Sequence, residues 1–152
     1  DDDGTRVRIV CGSFWGRTGP VEGVAADPRY LDVSVPAGHR RTLNVEVTRH
    51  AFAYVFAGSG TFRDASGPQA VKTESPLTGA LTTDVANHSL VLFDRGDEIV
   101  VQAGDDGIRF LLISGQPLEE PVAWYGPIVM NTREQLQQAY DELQRGTFIK
   151  HP

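Results

Sequence analysis

Residues Leu43–Gly60, LNVEVTRHAFAYVFAGSG, decide the reading of the fold. Leu43, Val45 and Val47 alternate with Asn44, Glu46 and Thr48, the period-two pattern of a strand with one wet face, expected over Leu43–Thr48. Further on, Phe52, Tyr54 and Phe56 take one face of a second strand and Ala53, Val55 and Ala57 the other. Both faces are apolar, so this strand is expected to be covered on both sides. Gly58-Ser59-Gly60 then reads as a hairpin turn.

Working outward, further strand signals fall at Arg6–Cys11, Tyr30–Val35, Leu90–Phe93, Glu98–Ala103 and Arg109–Ser114, each bounded by Gly, Pro, Asp or Asn. Many short strands with such turns indicate an all-β sandwich or barrel. Side chains from Phe52–Phe56, Leu90–Phe93 and Phe110–Ile113 are expected to fill its interior. Between Asp64 and Asn87 the pattern weakens into turn formers, read as a long loop holding a short pairing strand, either a lid or a surface insertion.

One helix closes the chain. Asn131 or Thr132 can cap its first amides, and Glu134 or Gln135 can complete a capping box. Leu136, Ala139, Tyr140 and Leu143 follow helical spacing, so one stripe is expected to be buried, and Gly146 is placed to end the helix.

Composition narrows the function. A chain of 152 residues with 40% hydrophobic and 22% charged residues is one ordinary globular domain. No apolar run approaches the roughly 18 residues of a spanning helix, so no membrane partner is expected. The net charge of -6 argues against direct nucleic-acid binding, which needs a basic face. Arg6 and Arg8, alternating with Val7 and Ile9, and Arg40-Arg41, after the Pro36-Ala37-Gly38 turn, read as solvated surface. The single Cys11 has no disulfide partner in the chain, which fits a reducing, cytoplasmic setting, and its apolar neighbours make it a buried, inert thiol.

Signatures of catalysis are weak. His39, His50, His88 and His151 show no zinc-type spacing, although His39 and His50 could meet across a hairpin. Ser59 lacks a G-x-S-x-G elbow. Asp105-Asp106 and Glu119-Glu120 are sequence neighbours that point apart in extended chain, the wrong arrangement for shared acid–base work.

Several stretches resemble one family. Pro117–Phe148, PLEEPVAWYGPIVMNTREQLQQAYDELQRGTF, is similar to the closing segment of the pirins, where a "PLxEPV…GPxVMN" run leads into a terminal helix. VRIVCGSFWGRTGPV, YLDVSVPAG, FAYVFAGSG and NHSLVLFDRGDEIVVQAG resemble the same family's C-terminal domain in order along the chain. The resemblance implies a cupin-type β-barrel or sandwich (a double-stranded β-helix) with a C-terminal α-helix. Residues 1–152 would form a single domain, with 1–5 the remnant of an interdomain linker. Pirins pair this domain with an N-terminal cupin that holds iron through three His and one Glu. Some members are similar to quercetin dioxygenases, and others act as transcriptional coregulators.

The cupin ligand positions fall near Asn44, Glu46, Ala51 and Ile99 in this chain. Glu46 alone is a plausible ligand, so no metal, cofactor or catalytic residue is expected in this domain, and iron is expected in the parent's N-terminal domain. The function implied is a metal-free, non-catalytic support for that metal-bearing domain. The alternatives are part of an iron-dependent dioxygenase and a protein-interaction module. Phe14 and Trp15, with Trp124, Tyr125, Pro127 and Ile128, are the expected interface residues, facing the N-terminal cupin or a second copy in a homodimer.

Overall fold

A computed structural model describes residues 3–63, 68–73 and 84–150. They divide into two compact units, Asp1–Pro117 and Leu118–Pro152. The first holds ten strands: β1 (Arg6–Cys11), β2 (Ser13–Phe14), β3 (Arg17–Thr18), β4 (Arg29–Val35), β5 (Arg40–Asn44), β6 (His50–Arg63), β7 (Pro68–Thr73), β8 (Asp84–Ala86), β9 (Ser89–Phe93) and β10 (Glu98–Gly115). The second holds β11 (Ala123–Tyr125), β12 (Ile128–Met130) and α1 (Arg133–Gln144).

Two long strands organise the first unit. β6 and β10 pair antiparallel with each other along both of their halves. Their other edges change partner part-way. β6 pairs with β9 through Phe52–Val55 and with β8 through Ser59–Thr61, while β10 pairs with β5 through Glu98–Gln102 and with β4 through Ile108–Ser114. β1 adds to β4, and β7 to β9. A strand that changes partners in this way turns a corner between two facing sheets. The ring contacts show the facing directly: Phe62, from the second half of β6, meets Phe110 at 5.3 Å and Phe93 at 5.4 Å between centroids.

The corner corrects two expectations. Gly58-Ser59-Gly60 is no hairpin turn, since β6 runs through it to Arg63. Likewise Glu98–Ala103 and Arg109–Ser114 are one strand, joined by a bulge at Gly104–Gly107 that faces Ser59 alone. The glycines are required by the close approach of the two backbones. A Cβ on Gly58, whose φ is +69°, would lie 2.1 Å from the Gly107 carbonyl oxygen, and one on Gly60 2.4 Å from that of Gln102.

The core is one cluster that includes Leu31, Val33, Leu43, Val55, Phe62, Ile99, Val101, Phe110 and Leu112. Its filling differs from the expectation at β6. Ala53 and Val55 are fully buried, whereas Phe52, Tyr54 and Phe56 are only half-buried. A register shift between Arg109 and Phe110 leaves Phe56 at a bulge, where the Arg109 guanidinium lies 4.9 Å from its ring centroid. Small side chains face inward here because Phe62 and Phe110, from the two strands that turn the corner, supply the volume.

The expected strand over Leu43–Thr48 is shifted. β5 starts at Arg40 and ends at Asn44, and a turn closed by the Arg49 amide donating to the Glu46 carbonyl (2.9 Å) leaves Val47 exposed. Within Asp64–Asn87, pairing strands are present as β7 and β8, while residues 64–67 and 74–83 lie outside the described residues, so the lid reading falls there. Trp15 and Gly16 both have left-handed φ (47° and 71°), the turn that a two-residue hairpin between β2 and β3 demands.

The second unit follows its local signals. Thr132 caps α1 and forms a capping box: the Gln135 amide donates to Thr132 Oγ1 (3.2 Å), and the Thr132 amide to Gln135 Oε1 (3.0 Å). Gly146, at φ 71°, ends the helix. β11 and β12 form a hairpin about Gly126-Pro127, and Tyr140 on α1 donates its hydroxyl to the Tyr125 carbonyl (3.2 Å). Of the helical stripe, Ala139 is buried, Leu136 and Tyr140 are half-buried and Leu143 is exposed.

Candidate functional site

The four positions at which the resemblance puts cupin ligands lie in different surroundings. Ile99 is buried in the core, paired with Leu43 across β5. Ala51 is half-buried against the same cluster. Asn44 is exposed at the end of β5, and its carbonyl accepts a hydrogen bond from Arg29 Nη1 (3.4 Å).

Glu46 is already committed. Its Oε1 accepts from Arg29 Nη2 at 3.1 Å, and its Oε2 lies 3.0 Å from Arg49 Nε. Arg49 also reaches Asp27, pairing through Nη2 with Oδ2 at 2.5 Å and through Nη1 with the Asp27 carbonyl. The chain of charges Asp27–Arg49–Glu46–Arg29 thus ties the loop before β4 to the turn before β6. Only 7% of the Arg49 side chain is exposed. Burial pulls its guanidinium pKa down, but the hydrogen bonds to Asp27 and Glu46 outweigh that and raise it. The group is a fixed cation, and Asp27 and Glu46 are its anions.

This network borders a cavity of about 370 Å³, lined also by Cys11, Ser13 and Glu22. Cys11 is buried there as a free thiol. Among the described residues no group of three His, Cys, Asp or Glu side chains could hold a metal ion. An amide, an ion-paired carboxylate, a methyl group and an isoleucine do not fit the N/O donor set of a mononuclear iron site.

The histidines stay apart. His39 is exposed, with Nδ1 2.9 Å from the Ala37 carbonyl oxygen, and its own carbonyl accepts from the Ala103 amide. His50 pairs with Gly115, at the other end of β10, so the two do not meet. His88 sits with φ 65° in the turn between β8 and β9, and His151 lies outside the described residues. Ser59 lies in β6 at the corner, and Asp105 and Asp106 are exposed on the opposing bulge. Glu120 accepts a hydrogen bond from Asn131 Nδ2 (2.8 Å).

The expected interface residues divide. Phe14 is buried in the core of the first unit, and Ile128 is buried in the second. Trp15, Trp124 (74% exposed), Tyr125 (67%) and Pro127 are exposed. Trp124, Tyr125, Val122 and Leu136 line an open groove of about 630 Å³.

Sequence reading missed Asp27, Arg29 and Arg49. The Glu46/Arg49 spacing across a turn was an available signal, whereas nothing local links Arg29 to either. Arg6 and Arg8 are exposed, as expected for a strand's wet face. Arg41 differs. It is no solvated turn residue but pairs with Asp3 (3.2 Å) and stands 4.8 Å over the Trp15 ring.

A facing-sheet domain with two corner-turning strands and a C-terminal helix has a clear counterpart: the model of the pirin C-terminal cupin domain matches residues 30–149. The chain belongs to the pirin C-terminal cupin domain family. A pirin-like protein of Caulobacter vibrioides is 38% identical over 148 residues, covering 97% of this chain and 47% of the relative. A Thermoplasma acidophilum protein named as a candidate quercetin 2,3-dioxygenase is 32% identical over 158 residues, covering 99% of this chain and 54% of the relative. The crystal structure of a quercetin 2,3-dioxygenase from Acinetobacter baumannii superposes with a TM-score of 0.77 at 24% identity, covering 97% of this chain and 45% of that one. The chain thus spans about half the length of the curated relatives it matches. No helix among the described residues is long and apolar enough to cross a membrane.

Proposed function

We propose that this pirin cupin domain is metal-free and non-catalytic by itself, and that it supports the metal-bearing half of a longer, cytoplasmic pirin-type protein. The observation that carries the reading is Glu46. The one carboxylate at an expected cupin ligand position is spent on Arg29 and Arg49, and releasing it to a metal would break both ion pairs and leave Arg49 with Asp27 as its remaining anion. The share of the relatives' length that the chain spans supports the two-halves part of the proposal. The exposed Trp124 and Tyr125 supply an apolar surface of the kind such a partner domain covers, or that a second copy covers when this domain stands alone. Iron, on this reading, belongs to the other half.

A second reading is favoured by the relative named as a candidate quercetin 2,3-dioxygenase: the longer protein is an iron-dependent dioxygenase, and this half helps shape the way into its active site. Both readings place the chemistry elsewhere. Incubating the chain with quercetin, Fe(II) and air tests this. Substrate loss should match the protein-free blank. Catalysed loss that disappears in Glu46→Gln would overturn the proposal.

A further inference from the structure

β1 stands at one end of the strand order of the large sheet; Gly19 and Val21 lie along its Ile9–Cys11 end, whereas among the described residues Arg6–Arg8 pairs with β4 alone. Beside it runs a groove of about 650 Å³ lined by Val7 and Ile9 of β1, Phe14 and Trp15 of the β2–β3 hairpin, and the cations Arg6, Arg17 and Arg41. Three arginines lining one groove are a local reversal of sign in a chain of net charge -6. Arg6 and Arg17 are both exposed, with no ion pair among the described residues. Arg41 shows what the groove accepts, because the Asp3 carboxylate already sits on it at 3.2 Å. That carboxyl is held below the usual range, first by the hydrogen bond from the Thr5 amide and also by Arg41.

We propose that the groove docks an extended acidic segment of a partner protein, added along the open edge of β1. Its backbone would use the unpaired polar groups of Arg6–Arg8, its carboxylates would meet Arg6 and Arg17, and an apolar side chain would lie against Val7, Ile9 and Trp15. The charges explain the selectivity. Arginines on an open edge discourage pairing with neutral or basic strands, and an acidic strand turns the same charges into attraction. This inference stands independently of the metal-free reading.

The probe is a fluorescein-labelled nine-residue peptide alternating Glu and Val, followed by fluorescence anisotropy with the intact chain. Binding is expected to weaken with added NaCl, and by roughly tenfold in the double variant Arg6→Glu/Arg17→Glu. Arg133→Glu/Arg145→Glu, which reverses exposed charges at the helix, should leave it unchanged. Hydrogen exchange should show new protection within Arg6–Arg8 when the peptide is added. No saturable binding, equal binding of a Lys–Val peptide, or full binding by the double variant would overturn the proposal. So would equal binding of an oligothymidylate of the same charge, which would make the surface a general anion patch. Binding without new protection at β1 would remove the strand-addition geometry and overturn it as stated.

Discussion

The two units of this chain solve the burial problem differently. Residues Asp1–Pro117 surround a continuous apolar cluster in which Phe62, Phe110, Leu31 and Leu43 are almost wholly removed from water. Among the described residues, the unit Leu118–Pro152 buries only Ala123, Ile128 and Ala139, while Val122, Trp124, Tyr125, Val129, Leu143 and Ile149 are exposed. What orders the second unit is local: a capping box, a two-residue turn and the Tyr140–Tyr125 contact, with ring centroids 5.1 Å apart. Isolated short helices and hairpins are marginal in water, so caps and turns specify the shape of this unit without supplying much stability. The difference separates a self-sufficient core from a surface that presents aromatic side chains.

The contrast can be broken most directly at Phe62. Truncating it to Ala removes a ring packed edge-on to two others, and should cost about 3–5 kcal/mol in denaturant titration. Trp124→Ala, the largest exposed side chain of the second unit, should stay within about 0.5 kcal/mol. Comparable losses from the two would erase the distinction. Next comes Arg49→Met, which leaves Asp27 and Glu46 without their shared cation and should cost about 1–3 kcal/mol by the same titration.

A smaller effect is expected at the helix cap. Thr132→Ala should cost about 1 kcal/mol, read as faster hydrogen exchange in α1, with the unfolding of the first unit unchanged. The smallest concerns pH. Asp32 takes two hydrogen bonds from Arg109 (2.9 and 2.6 Å), and these bonds, offset in part by burial, hold its carboxyl below the ordinary value. A carboxyl with a depressed folded pKa contributes stability that is present above its unfolded value near 4 and lost as pH falls through the folded one. Asp32→Asn should therefore flatten the acid limb of the stability profile and leave its slope near neutral pH unchanged. An unaltered acid limb would mean that the pair contributes nothing measurable.

What the sequence made legible was what short-range chemistry controls. The α1 cap, its Gly146 terminus, the β1 alternation, the strand at Tyr30–Val35 and the buried Cys11 all follow from residues within a few positions of one another. The corner was illegible for a physical reason. A Gly-Ser-Gly run is the usual mark of a turn, and only the opposing Gly107 carbonyl, far along the chain, reveals that Gly58 is there for close approach. Phe56 misleads likewise, because the bulge that half-exposes it is set by Arg109 on the neighbouring strand. At the candidate site, the choice of Asn44, Ala51 and Ile99 as ligand positions came from the resemblance to the cupin motifs. The use of Glu46 as an anion for two arginines was not legible, since Arg29 approaches it only through the fold.

That use of Glu46 is the centre of the account, and metal content tests it most directly. Untagged protein is incubated anaerobically with excess Fe(II), freed of loose metal by gel filtration and measured by elemental analysis. The expected result is far less than one iron per chain, the same in wild type and in Glu46→Gln. One tightly held iron per chain in wild type, lost in Glu46→Gln, would contradict it.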